Sequence, residues 1–191
     1  MTTQNQPASE TKTRWIFDPY HTQVEFSAKH LGMMTVRGNF LEIAADGYID
    51  PDHPAASSVD VTIQTASLRT HNPQRDNDLR ASNFLETDKY PTMNFKSTKI
   101  EQTGPETYNM TGDLTIKGNT HPVTFKVLNL GEFNDPNTMG HRIGYSAEGK
   151  ISRKDFGMTF SMMLDGKWIV SDEVQIFIEG EFIEQKQEQQ A

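Results

Sequence analysis

The sequence predicts an all-β, antiparallel domain of about eight strands, closed into a barrel or packed as a sandwich. Three observations carry this expectation. Apolar residues recur at period two along most of the chain, which places them on one face of successive strands. Clusters of Gly, Pro, Asn and Asp divide these runs at short intervals, as turns require. Only one short stretch has helical spacing, too little helix to cover the apolar face of an open sheet.

In chain order, residues 15–17 form a short candidate strand, and Val24, Phe26 and Ala28 then alternate with Gln23, Glu25, Ser27 and Lys29. Residues 36–43 are a second short candidate. Val59, Val61 and Ile63 alternate with Ser58, Asp60, Thr62 and Gln64. The stretch 72–85 breaks the pattern: Asn72 can cap, Pro73 suits a first turn, and Leu79, Asn83 and Phe84 have helical spacing, so a short helix is expected. Asp76 and Arg80 stand four apart on it, a spacing that lets them pair. Residues 93–100 are a third short candidate. Tyr108, Met110, Leu114 and Ile116 resume the alternation, interrupted by Gly112 where a bend or close approach is tolerated. Val123, Phe125 and Val127 follow, then Ile143, Tyr145, Ala147 and Ile151, and last Val174, Ile176, Ile178 and Phe182. Residues 50–54, 102–106, 117–122, 133–140 and 165–167 read as turns or loops.

At 191 residues the chain fits one domain. Residues 14–184 are that domain, between a polar, disordered tail at 1–13 and a second polar tail at 185–191. A net charge of −8 argues against an electrostatic grip on nucleic acid, which needs a concentrated basic surface. No stretch approaches the roughly 20 apolar residues of a membrane-spanning helix. With no cysteine, disulfides, thiolate metal sites and cysteine nucleophiles are removed together. Residues 1–13 hold no apolar signal-like run, so the cytoplasm is the expected compartment, and the periplasm if a leader has been removed.

Enzyme motifs are sparse. There is no Gly-x-Ser-x-Gly elbow and no spaced-glycine phosphate loop ahead of Gly149-Lys150 or Gly166-Lys167. Asp50 and Asp52 read as a turn rather than an acid–base couple. His21 and His30 lack third and fourth partners at metal-ligand spacing, and His53, His71, His121 and His141 read as ordinary solvated histidines. No metal, no cofactor and no catalytic residue is therefore expected.

Several blocks resemble the YceI-like proteins, bacterial lipocalin-like barrels associated with polyisoprenoid binding. They are Trp15-Ile16-Phe17-Asp18-Pro19-Tyr20-His21-Thr22, Val24-Glu25-Phe26, Lys29-His30-Leu31-Gly32, Val36-Arg37-Gly38-Asn39-Phe40 and Arg75-Asp76-Asn77-Asp78-Leu79-Arg80-Ala81-Ser82-Asn83-Phe84-Leu85. Lys89-Tyr90-Pro91-Thr92-Met93-Asn94-Phe95-Lys96-Ser97-Thr98, Gly112-Asp113-Leu114-Thr115-Ile116-Lys117-Gly118, Ile151-Ser152-Arg153-Lys154-Asp155-Phe156-Gly157-Met158 and Asp172-Glu173-Val174 follow in the family's order. Thr22 replaces the usual Ser, Met33-Met34 and Met162-Met163 are unusually methionine-rich, and the secretory signal of many relatives is missing from residues 1–13.

The resemblance implies an extended eight-stranded lipocalin-like barrel with an apolar lumen and the short helix near one mouth. It implies an isoprenoid lipid, of the prenyl quinone or polyprenyl phosphate class, as the bound partner, for transport, storage or stress protection. His21, His30, Arg75, Asp76, Arg80 and Arg153 are then the head-group candidates, since an amphiphile needs a few convergent polar groups at one end. The competing reading makes Asp76–Arg80 a helix-face ion pair and Arg153 a loop anchor. Phe26, Phe40, Leu79, Phe84, Met93, Phe95, Met110, Leu114, Phe125, Phe156 and Met158 are the lumen candidates, where flexible thioethers adapt to a lipid chain; a close-packed core would use the same residues. Two alternatives stand beside the carrier. One is an enzyme acting on such a lipid through a histidine and Asp76. The other is a stress-response module that dimerises through Phe177, which faces away from Ile176 and Ile178.

Overall fold

The computed structural model describes residues 14–50, 53–135, 137 and 139–185. The tail expected over residues 1–13, and residues 186–191 of the other, lie outside these, as do residues 51 and 52 of the first predicted turn. Gln185 instead ends a strand, opposite Arg14.

The strands are β1 (Arg14–His30), β2 (Met34–Phe40), β3 (Ile43–Tyr48), β4 (Ser58–Gln64), β5 (Leu68–Arg69), β6 (Thr92–Gln102), β7 (Thr107–Ile116), β8 (Asn119–Asp135), β9 (Gly140–Ser152), β10 (Met163–Leu164), β11 (Lys167–Trp168) and β12 (Val170–Gln185), with one helix, α1 (Pro73–Arg80), between β5 and β6. Ten of them form one sheet in the order β3-β4-β6-β7-β8-β9-β12-β1-β2-β5, and β10 and β11 form a separate hairpin. Neighbouring strands pair antiparallel throughout. The sheet curls until β1 lies against β3, giving a half-barrel whose two ends are not joined by a hydrogen-bonded ladder among the described residues.

The strand count departs from eight for local reasons. Residues 15–17 and the Val24 run belong to a single strand, β1, and residues 36–43 divide at Leu41–Glu42 into β2 and β3. Strand β5 is two residues long, too short for any period to register. Two predicted loops shrink. The turn over 117–122 is confined to Lys117 and Gly118, both at positive φ, because the Thr115–Thr120 and Leu114–His121 pairs carry β8 up to the turn. Strand β8 likewise continues to Asp135.

Within β1 the residues Pro19 to Thr22 oppose only Gly180 of β12, so the strand bulges. Asp18 fastens the bulge. It accepts the Tyr20 backbone N–H at 2.9 Å, and its own carbonyl accepts the Thr22 hydroxyl at 2.8 Å. The odd number of residues gained reverses the strand's parity, so Phe17 ahead of it and Val24 beyond it both face the concave side.

Helix α1 is shorter than the stretch 72–85. Asn72 Oδ1 accepts from the Arg75 backbone N–H at 3.0 Å and Pro73 opens the first turn, while Ala81 ends it in an extended conformation. The expected Asp76–Arg80 pair does not form. Asp76 is buried and accepts from Thr70 N (2.9 Å) and Thr70 Oγ1 (2.5 Å). Arg80 donates instead to the carbonyls of Leu68 (2.7 Å) and Ala66 (3.1 Å). Both side chains thus moor the helix to the segment after β4. None of the helices described is long and apolar enough to cross a membrane.

Gly112 carries the close approach its position suggested. A Cβ there would meet the Phe95 ring at 2.5 Å and collide with the Lys96 carbonyl. Gly112→Val is therefore expected to cost about 1–3 kcal/mol by overpacking and to lower the melting temperature by about 3–10 °C, read by thermal denaturation; an unchanged midpoint would mean the wall yields at no cost.

Candidate functional site

The concave face of the sheet encloses a cavity of about 280 Å³, near the lower end of the roughly 300–1,000 Å³ typical of ligand pockets. Alternation decides its lining. Val24, Phe26 and Ala28 from β1, Val174, Ile176, Ile178 and Phe182 from β12, and Tyr145, Ala147 and Ile151 from β9 all face inward, as do Phe125 and Val127 from β8. Along β12 the lining runs from Val170 to Phe182. At about 3.3 Å per residue and the usual strand tilt of a barrel, that is a lumen roughly 30 Å long.

Three phenylalanines keep this lumen from filling. Phe26 lies over Gly38, Phe95 over Gly112 and Phe125 over Gly149, each ring where a Cβ would stand 2.5–2.7 Å away. A ring laid over a neighbouring strand's glycine is held against the wall rather than aimed at the axis. Phe95 and Phe125 then meet edge to face at 5.2 Å, and Phe26 and Phe40 lie tilted at 5.3 Å.

Of the expected lumen residues, Phe26, Phe40, Leu79, Phe84, Met93, Phe95, Met110, Leu114, Phe125 and Met158 line the cavity. Phe156 does not. It follows β9 in a turn and is buried edge-on against the His121 ring at 5.2 Å, with no strand parity to aim it inward.

The head-group candidates do not gather at one mouth. His21 sits in the β1 bulge, whereas His30 ends β1 nine residues away, roughly 30 Å along the strand. His30 Nδ1 donates to the Ile169 carbonyl at 2.9 Å. Arg75 is drawn to Thr70, with Nε 2.8 Å from its hydroxyl and Nη2 2.7 Å from its carbonyl, beside Asp76 and Arg80 on the same helix. Among the six, only Arg153 lines the cavity. It is 2% exposed and donates to Met158 O (2.7 Å), Ser171 O (3.0 Å) and Asp172 Oδ1 (2.9 Å), so it anchors a loop and a strand as well as bordering the lumen. Burial lowers its pKa, and Asp172 opposes that. Phe177 is half-buried on the convex face, beside Gln23, Glu25, Arg37 and Glu179.

Several polar groups escaped the sequence reading because their partners lie far apart in the chain. Tyr108 and Tyr145 face the lumen, and burial pushes the Tyr145 phenol up to about 12. On the convex face, Arg142 Nη1 bridges Asp18 Oδ2 (2.8 Å) and Glu181 Oε1 (2.6 Å). His21 Nδ1 also donates to Asp18 Oδ2 at 2.9 Å. The metal-ligating atoms of Asp18, His21 and Glu181 lie within 4.8 Å of one another, but Arg142 already supplies the cation between the two carboxylates. His141 is not the solvated histidine expected. Its two ring nitrogens donate to Glu184 (2.9 Å) and Glu132 (3.0 Å), and its ring meets Trp15 edge-on at 4.9 Å. Burial depresses the His141 pKa, but the two carboxylates outweigh it and hold it above the usual range.

These clusters titrate in opposite directions. Burial pushes the Asp18 pKa up, but hydrogen bonds from His21, Arg142 and the Tyr20 backbone outweigh it and bring the carboxyl from 3.8 down to about 2. A depressed carboxyl stabilises the fold above its unfolded pKa and loses that contribution as pH falls through the folded one. Asp18→Asn should accordingly be less stable than wild type at pH 7, and the gap should narrow between pH 4 and 2 in urea titrations. A raised histidine behaves in the reverse sense. The His141→Gln deficit should be largest below pH 6.5 and should shrink as pH rises beyond the folded pKa; a pH-independent deficit would show that charge plays no part.

Comparison with known proteins places this geometry. Residues 15–182 match the YceI-like domain. The chain is similar to Protein YceI of Escherichia coli O157:H7, 39% identical over 166 residues that cover 87% of this chain and 83% of that protein. The crystal structure of Burkholderia cenocepacia BcnA superposes with a TM-score of 0.76 at 26% identity, covering 86% of this chain and 98% of that one. A polyisoprenoid binding domain from Saccharophagus degradans, implicated in plant cell wall breakdown, superposes with a TM-score of 0.62 over 91% of this chain and 100% of that one. At 13% identity that last likeness concerns the fold alone.

Proposed function

Because the chain belongs to the YceI-like family, we propose that its lumen binds a long-chain isoprenoid lipid, of the prenyl quinone or polyprenyl phosphate class, for transport, storage or stress protection. The observation that carries this is the long apolar lumen itself, walled by aliphatic, aromatic and methionine side chains on every long strand. Each methylene taken from water contributes about 0.8 kcal/mol, so about ten of them supply some 8 kcal/mol, a micromolar Kd before ordering costs. A branched polyene fits a narrow tunnel whose methionines Met93, Met110 and Met158 can adjust. The fold of the Saccharophagus polyisoprenoid binding domain adds support.

Binding is favoured over catalysis by where the candidate acid–base groups lie. Among the described residues no histidine lines the lumen, and Asp76 is committed to Thr70. Of the polar residues that line the lumen, Tyr108, Tyr145 and Arg153 can orient a lipid head group by hydrogen bonding.

The test is uptake of a prenyl quinone and of a polyprenyl phosphate from detergent by lipid-free protein, followed by native mass spectrometry. One lipid per chain is expected. Ala147→Trp, which fills the lumen from β9, should weaken uptake about 100-fold or more by displacing several methylenes, while Phe177→Ala on the convex face should leave it unchanged. If neither lipid is retained, or if Ala147→Trp binds as well as wild type, the proposal fails.

A further inference from the structure

Six large apolar side chains cluster outside the barrel where β1 turns into β2. Met33 lies in that turn and Met34 opens β2; Met163, Leu164 and Trp168 belong to the β10–β11 hairpin, and Met162 immediately precedes it. All six are 47–67% exposed. The hairpin pairs Met163 with Trp168 and Leu164 with Lys167 around Asp165 and Gly166, both at positive φ, as a tight two-residue turn requires. Two bonds moor it to the turn, Leu31 N–H to Ile169 O (3.2 Å) and His30 Nδ1 to Ile169 O (2.9 Å), while Ile169 N–H to Met162 O (3.0 Å) closes its base. Immediately beyond it, Val170 lines the lumen, as does Ala28 on the adjacent stretch of β1.

We propose that this hairpin and turn dock the barrel on a lipid bilayer containing anionic lipid, the source from which the lumen is loaded. The inference rests on the lipid-binding reading above. Charge supports a membrane as the occupant. In a chain of net charge −8, this patch carries three exposed lysines, Lys29, Lys154 and Lys167; Lys154 lies over the Trp168 ring at 5.3 Å and is paired with Asp172 at 2.7 Å, so Lys29 and Lys167 supply the charge for phosphate. Asp165 is the single acid in residues 159–170. Tryptophan beside long-stemmed lysines suits the boundary between headgroups and acyl chains, where a ring stays partly buried and the ammonium reaches phosphate. Size argues against a second copy. A stable protein interface engages roughly 20–30 residues a side, whereas this surface offers six apolar groups on a small hairpin and the turn beside it.

Flotation with vesicles of phosphatidylcholine, with and without phosphatidylglycerol, tests the proposal. The wild-type chain should bind, more strongly with phosphatidylglycerol present, and tryptophan emission should shift to the blue; Trp15 is buried, so the shift reports Trp168. Leu164→Ser combined with Trp168→Ser should lower partitioning at least about tenfold. Lys29→Gln and Lys167→Gln should each remove about fivefold of the phosphatidylglycerol enhancement. All four positions are exposed, and unchanged melting curves check that the variants fold. Partitioning that the Leu164/Trp168 variant retains, or a wild type that binds neither vesicle, overturns the docking surface. So does a dimer that the same variant dissolves without any vesicle binding, which assigns the patch to a second copy. Uptake of prenyl quinone from detergent, measured on the same proteins, separates the two readings: intact uptake with no vesicle binding sinks docking alone, and lost uptake in the wild type removes the premise on which docking rests.

Discussion

Every second side chain of a strongly curled sheet must point at the same axis, and the architecture follows from what the chain does with that constraint. A barrel of this size can be filled by its own side chains or left hollow. Here the choice falls to three glycines. Gly38, Gly112 and Gly149 each give a phenylalanine from an adjoining strand a place to lie against the wall, so bulky rings bury their area without reaching the centre. The resulting cavity of about 280 Å³ would, if left dry, cost about 7 kcal/mol at about 24 cal/mol per Å³. That is a large share of the 5–15 kcal/mol by which a domain is stable. Under the proposed function, an apolar ligand removes that penalty on entry, so stability and binding are coupled through the same empty volume.

Holding the alternation in phase over strands as long as β1 and β8 requires corrections. The Asp18 bulge in β1 returns Phe17 and Val24 to the same side. A second bulge, at Asn129–Gly131 of β8, with Gly131 at positive φ, turns Glu132 to the face that Phe125 and Val127 occupy further along. Glu132 thereby reaches His141, which Glu184 grips from the other side. The two charged clusters therefore have a geometric origin. One locks a bulge from the convex face through Arg142, and the other closes the ladder beyond the apolar lining, next to Trp15.

How far the fold could be read from the chain follows from the range of each interaction. Strand faces were legible because alternation is local: Val59, Val61 and Ile63, or Val174, Ile176 and Ile178, declare their side without knowledge of any partner. The Asn72 cap and the Pro73 start were legible for the same reason. Strand β5 and the β10–β11 hairpin were not, since two-residue strands exist only by virtue of what they pair with. The Asp76–Arg80 spacing misled because helix geometry permits that pair but does not compel it. A buried carboxylate takes the Thr70 N–H and hydroxyl, which no four-residue spacing can reveal. His141 misled in the same way, its two glutamates lying on other strands. Ten lumen residues were legible from parity or from the family's blocks, and Phe156, in a turn, had no parity to read.

The distribution of polar groups also bears on selectivity. Arg153 borders the lumen with three of its five N–H donors spent on Met158, Ser171 and Asp172, which leaves at most two for a head group and fixes where they point. A neutral carbonyl or hydroxyl can instead meet the phenols of Tyr108 and Tyr145. Burial keeps the Tyr145 phenol protonated, with its pKa near 12, and so a donor at any physiological pH. Under the proposed function, affinity would then come chiefly from the length of chain buried along the wall, with the head group setting orientation more than strength. Such a lumen would distinguish lipids by length and shape before it distinguished them by charge.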